Sequence, residues 1–205
     1  QMCIRDRVFK KWFQVVLNTS ADKIFHNAMY DVGWITCGMG LKINGRILDT
    51  LIAAPLVNEN MMSYSLNELA KYYLGETKSE ALLYEAAREW GVDAKSQMYL
   101  LPPMHVGPYA EQDAAVTLKL WNHLRVEITK QELTSIFDLE TRLFPCLLEM
   151  KKKGVRVDVD KAEVVKAELL RKEKGILKHI KKDTGFEISV WEARSIAKAF
   201  DAKGI

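Results

Sequence analysis

Residues 26–35 read HNAMYDVGWI, and residues 109–121 read YAEQDAAVTLKLW. In the first stretch Asn27 stands four residues before Asp31; in the second, Tyr109 stands four residues before Asp113. On a helix, positions i and i+4 share one face, so each stretch can aim a polar pair in one direction. Lys23 to His26, just ahead, is a short strand candidate. Asn27 can cap the helix that follows, and Gly38 and Gly40 can end it. Two carboxylates, a phenol and an amide converging on one place suit metal-assisted cleavage of a phosphodiester. Hard cations such as Mg²⁺ or Mn²⁺ take carboxylate oxygens, and paired ions about 4 Å apart can serve both the attacking and the leaving oxygen. A tyrosine with its ordinary pKa of ~10 is a poor base, so Tyr109 suits orienting a water rather than deprotonating it.

Working outward, apolar residues at helical spacing predict a short helix over 8–17, and Asn18-Thr19-Ser20 predicts a turn. Residues 46–50 (RILDT) read as a second short strand. An apolar helix follows over 50–57, with Pro55 near its end and Asp49 placed to cap it. SLNELAKYYLG (65–75) carries a capping serine, Glu68 three residues on and a terminal glycine, which together mark a helix. A further helix is expected over 79–90. The proline-bearing stretch 97–108 reads as a loop, and Tyr109 as the opening of a long helix to about Thr129. Another runs from about Glu132 to Lys153. Val155 to Val159 alternates like a strand, and a charged helix spans 161–182 with one apolar stripe. Ser189 is placed to cap a last helix. Trp12, Trp34, Trp90, Trp121 and Trp191 are expected in the core.

The 205 residues allow one domain, or one and part of a second, and 48% hydrophobic with 28% charged residues is a globular balance. No apolar run approaches the ~18–20 residues of a membrane span, so no membrane partner is expected. Three cysteines, widely spaced and without a CxxC pair, fit free thiols in a cytoplasmic setting. The leading residues 1–7 (QMCIRDR) resemble a translated adapter remnant and are set aside. The net charge of +3 is unevenly spread: residues 151–182 hold 12 Lys/Arg against 5 Asp/Glu, leaving −4 on the rest. That segment fits a nucleic-acid backbone, and equally a solvated lysine-rich helix face.

HNAMYDVGWI resembles the second motif of the DEDD 3′–5′ exonucleases, and YAEQD the third motif of their tyrosine subclass. ILDTLIAAPLVN and SYSLNELAKYYLG are similar to the stretch between those motifs. LETRLFPCLLEMKKKGVRVD resembles the junction at which the proofreading exonuclease meets the polymerase region in family A DNA polymerases, and GFEISVWEARSIAKAFDAKGI the segment after it. The resemblance covers residues 8–205. It implies an α/β, ribonuclease-H-like exonuclease fold over 8–130 and the helical start of a polymerase region over 131–205. It further implies two divalent metal ions (Mg²⁺ or Mn²⁺), Asp31 and Asp113 as metal-site carboxylates and Tyr109 as water positioner. Asn27 and His26 would contact the substrate strand. The implied partner is DNA with a single-stranded 3′ end, and duplex DNA along 161–182. The pattern also requires an upstream Asp-x-Glu, and residues 1–26 contain none. We therefore expect an exonuclease fold without its first strands and with little activity of its own. Asp138-Leu139-Glu140 has the right letters, but its flanking apolar residues are spaced for a helix. Two other readings share the same motifs: an inactive nucleic-acid-binding module, and an RNase D-like exoribonuclease.

Overall fold

The computed structural model describes residues 4–77 and 80–204, which fall into one unit up to Lys153 and a second from Gly154. The first unit contains α1 (Ile4–Leu17), β1 (Lys23–Phe25), α2 (Ala28–Gly33), β2 (Ile47–Asp49), α3 (Thr50–Val57), α4 (Leu66–Leu74), α5 (Ala81–Glu89), α6 (Pro103–Lys130) and α7 (Thr134–Lys153). A π turn over Trp34–Gly38 extends α2, and a 3₁₀ turn over Met98–Leu100 precedes α6. The second unit contains α8 (Val159–Thr184) and α9 (Ala193–Asp201).

β1 and β2 pair in parallel, Lys23 opposite Ile47, Ile24 opposite Leu48 and Phe25 opposite Asp49. Parallel strands need a crossover, which α2 and its π turn supply. Two strands this short do not hold alone; α6 packs on β1 and α7 on β2. The long helix α6 organises the core because Val116, Leu120, Leu124 and Ile128 recur every four residues on one face. Leu120, Leu124 and Ile128 meet Leu48 of β2, Ala53 and Ala54 of α3, Leu69 of α4 and Phe137 of α7. A satellite cluster joins α5 (Leu83, Ala86, Ala87) to Ala94 and Leu101, and another joins α2 (Ala28, Val32) to α7 (Phe144, Leu148). The mixed α/β character is as expected, although helices dominate and the described residues hold a single two-stranded sheet.

Several local expectations change. Helix α1 begins at Ile4, so part of the stretch set aside at the start is helical. Tyr109 does not open α6: the helix starts at Pro103, where a missing N–H costs nothing, and runs on through Pro108, six positions in. Residues 155–158 form no strand, since among the described residues no partner strand pairs with them; Asp158 instead caps α8, accepting from the Lys161 N–H at 3.0 Å. Glu192, not Ser189, occupies the cap position of α9. Ser79 lies outside the described residues. Four of the five tryptophans are on the surface, at 60% (Trp12), 59% (Trp34), 53% (Trp90) and 92% (Trp191) exposure. Trp121 is half-buried against Phe137. The apolar stripe of α8 is open as well, with Val164, Leu169 and Ile176 exposed.

Candidate active site

The site is built at the carboxyl ends of β1 and β2, where the chain turns from strand into helix. Asp49 ends β2 and is buried, at 6% exposure. One of its oxygens accepts from the Asn27 N–H (2.9 Å) and the Leu51 N–H (2.8 Å), and the other from the Ala28 N–H (2.7 Å). A single carboxylate thus satisfies the first free N–H groups of both α2 and α3, and its charge lies favourably at both helix starts. Asn27 holds the cap position of α2, but in a left-handed conformation (φ 67°, ψ 53°) and without a side-chain capping bond. Asparagine tolerates that conformation better than most residues. The expected Asn27 cap is therefore replaced by Asp49, and Asn27 with its side chain exposed is not on the helical face that carries Asp31.

His26, at the end of β1, has Nδ1 2.9 Å from the Thr50 hydroxyl, which in turn donates to the Phe25 carbonyl at 3.1 Å. The imidazole is thereby tied to the first residue of α3. Asp31 sits one turn into α2. Burial in the site raises its carboxyl above the usual range, and the nearby Asp49 charge adds to the rise.

Helix α6 brings the second half, through its packing on β1. Burial, then the charge of Asp113 and a hydrogen bond to it, push the Tyr109 phenol up to about 12, with Glu80 and Tyr84 contributing. His26, Asp31, Tyr109 and Asp113 all line one cleft of about 840 Å³. Asn27 is not among its lining residues. Sequence reasoning did not anticipate the rest of the wall: Ser65 and Asn67 at the start of α4, and Glu80 and Lys95 flanking α5. Asn67 donates to Glu80 at 3.5 Å, and Lys95 lies 4.0 Å from it. Phe13, Phe25 and Ile35 form an apolar side.

Two carboxylates and a phenol on one cleft are oxygen donors of the kind that hard divalent cations take. Among the described residues, however, no group of three or more His, Cys, Asp or Glu side chains is placed to hold a metal ion. Asp138 does not complete it: it lies on α7, half-exposed, 3.7 Å from the Arg46 guanidinium. Among the described residues, the carboxylates at the cleft therefore do not by themselves make a two-metal centre.

The family model of the 3′–5′ exonuclease domain of family A DNA polymerases matches residues 2–129. The chain belongs to this exonuclease family. By family it is a hydrolase, and the family's activity depends on metal. The chain is 34% identical over 191 residues to a DNA-directed DNA polymerase of Pseudomonas phage M6, covering 91% of this chain and 29% of that protein. It is 30% identical over 204 residues to DNA polymerase DpoZ of Salmonella phage PMBT28, covering 96% and 32%. DNA polymerase I of Chloroflexus aurantiacus is 27% identical over 144 residues, covering 69% and 14%. The chain thus spans a third or less of the length of these relatives. Its fold is similar to the polymerase domain of Pol1 from M. smegmatis, solved with DNA primer-template and dNTP (TM-score 0.57, 20% identity, covering 98% of this chain and 31% of that one).

Proposed function

We propose that this chain is the proofreading 3′–5′ exonuclease part of a DNA polymerase acting in DNA replication, in a cytoplasmic setting, and that its cleft takes the single-stranded 3′ end of DNA. The observation that carries the reading is the convergence of His26, Asp31, Tyr109 and Asp113 on one cleft from three separate elements. Asp31 and Asp113 are the carboxylates offered to divalent cations, Mg²⁺ or Mn²⁺. Tyr109, neutral at physiological pH, holds Asp113 by a hydrogen bond and keeps an oxygen lone pair for a water at the 3′-terminal phosphodiester. His26, held by Thr50, faces the strand in the same cleft, and Asn27 meets it from the exposed end of α2. The charged helix α8 offers a backbone contact to duplex DNA.

Two carboxylates and water hold Mg²⁺ weakly, so the 205-residue chain should trim a 3′-labelled single strand slowly, if at all above background, even at millimolar Mn²⁺. Any trimming should vanish in Asp113→Asn. Fast trimming that survives this substitution would remove the reading. The lack of a three-member ligand cluster among the described residues favours one alternative, a module that binds nucleic acid without cutting it. Salt-dependent DNA binding with no hydrolysis at high Mn²⁺ would select that alternative. Relative cleavage of RNA and DNA strands separates both from an exoribonuclease.

A further inference from the structure

Outside the cleft, Tyr30 of α2 and the π turn that follows it carry a second feature. Tyr30 and Trp34 are 61% and 59% exposed, with ring centroids 6.5 Å apart in an edge-to-face arrangement. The π turn brings Gly38 beneath the Trp34 indole so closely that a Cβ there would lie 2.6 Å from Trp34 Cε3. One side of the indole is therefore backed by glycine, while much of the residue stays open to solvent. Both rings line a pocket of about 520 Å³ with Met29, Leu148, Lys151 and Lys152. Lys152 is paired with Glu149 at 2.7 Å. An open aromatic ring held rigid against a glycine, beside two lysines, matches the stacking-plus-phosphate pattern by which proteins hold single-stranded nucleic acid. The lysines also suit a helix C-terminus, but the dipole alone gives no reason to leave two large rings exposed beside them.

We infer that Trp34 and Tyr30, with Lys151 and Lys152, form an accessory platform for the single DNA strand whose 3′ end enters the cleft. A base stacks on Trp34, and the adjoining phosphates meet the lysines. The choice of DNA rests on the exonuclease reading above, and on continuity: the same short helix carries Asp31 toward the cleft and Tyr30 toward the platform.

The test is fluorescence anisotropy of a labelled dT16 strand in EDTA, so that nothing is cut. Trp34→Ala should weaken binding about ten-fold, and Trp34→Phe should restore most of it. Gly38→Ala, by displacing the indole, should weaken binding in the same direction. Lys151→Ala with Lys152→Ala should reduce the slope of log affinity against log salt by about 1.4, the value for two phosphates on a single strand. Trp191→Ala, on a fully open residue of the second unit, should change nothing. Thermal unfolding of each variant separates loss of binding from loss of fold. No dT16 binding by the native chain, or affinities of Trp34→Ala and the double-lysine variant within two-fold of native, would overturn the platform. So would an equal loss in Trp191→Ala, or failure of Trp34→Phe to recover affinity. Because this measurement needs no cleavage, the platform can fail while trimming at the cleft persists, or hold while trimming is absent.

Discussion

A carboxyl whose pKa rises on folding, as that of Asp31 does, binds more protons in the folded chain than in the unfolded one. Stability then falls as pH climbs from the unfolded value of 3.8 through the raised one, and stays lower above it. Asp31→Asn removes that cost. Its melting temperature should exceed the native one at pH 7, with the gain disappearing toward pH 3, while any metal-dependent trimming is lost. Calorimetry at the two pH values checks this. Tyr109 runs the other way in function: held up to about 12, it stays a neutral donor at every pH at which the enzyme would work. Tyr109→Phe should lower trimming about 10–100-fold, through loss of orientation, by a factor that stays constant from pH 7 to pH 10. A ratio that changes with a pKa near 10 would instead make the phenol a base. The i+4 spacing of Tyr109 and Asp113 was legible in the sequence because both lie on one regular helix. The matching inference for Asn27 was not, because Asn27 sits in a left-handed turn just before its helix.

At the level of elements, strand ends and helix starts are joined by Asp49. Its position before Thr50 shows a cap in the sequence; that the same carboxylate also caps α2, twenty-odd residues away, follows only from the parallel pairing of β1 and β2. Asp49→Ala should cost about 2–4 kcal/mol in urea unfolding, roughly two caps' worth with buried N–H groups left unpaired. Asp49→Asn, which keeps one acceptor oxygen, should cost about half as much. Helix α4 shows the opposite case. Ser65 accepts from the Glu68 N–H and Gly75 ends the helix with φ of 66°, as its spacing predicts, since capping is local chemistry. The expected strand at 155–159 failed because alternation alone cannot supply a partner's hydrogen bonds.

Across the whole molecule, burial is concentrated in the first unit. Leu124, fully buried in α6, should cost about 2–5 kcal/mol as alanine, whereas Val164→Ser, on the open stripe of α8, should shift stability by less than about 0.5 kcal/mol. Replacing Lys174, Lys178 and Lys181, which share one face of α8, by glutamine should lower the salt slope of duplex-DNA binding by about 2.7 if that helix tracks the backbone, and by nothing if it is a solvated face. Helical periodicity, the caps at Asp49 and Ser65 and the Tyr109/Asp113 pair were written in the order of residues, because each depends on neighbours within about one turn. The convergence of His26, Asp31, Tyr109 and Asp113, the double duty of Asp49 and the exposure of the tryptophans depend on which faces meet across tens of residues. Periodicity marks a residue as apolar without saying whether another surface covers it. That is why Trp34 reads as core in the sequence and stands open, backed by Gly38, in the fold.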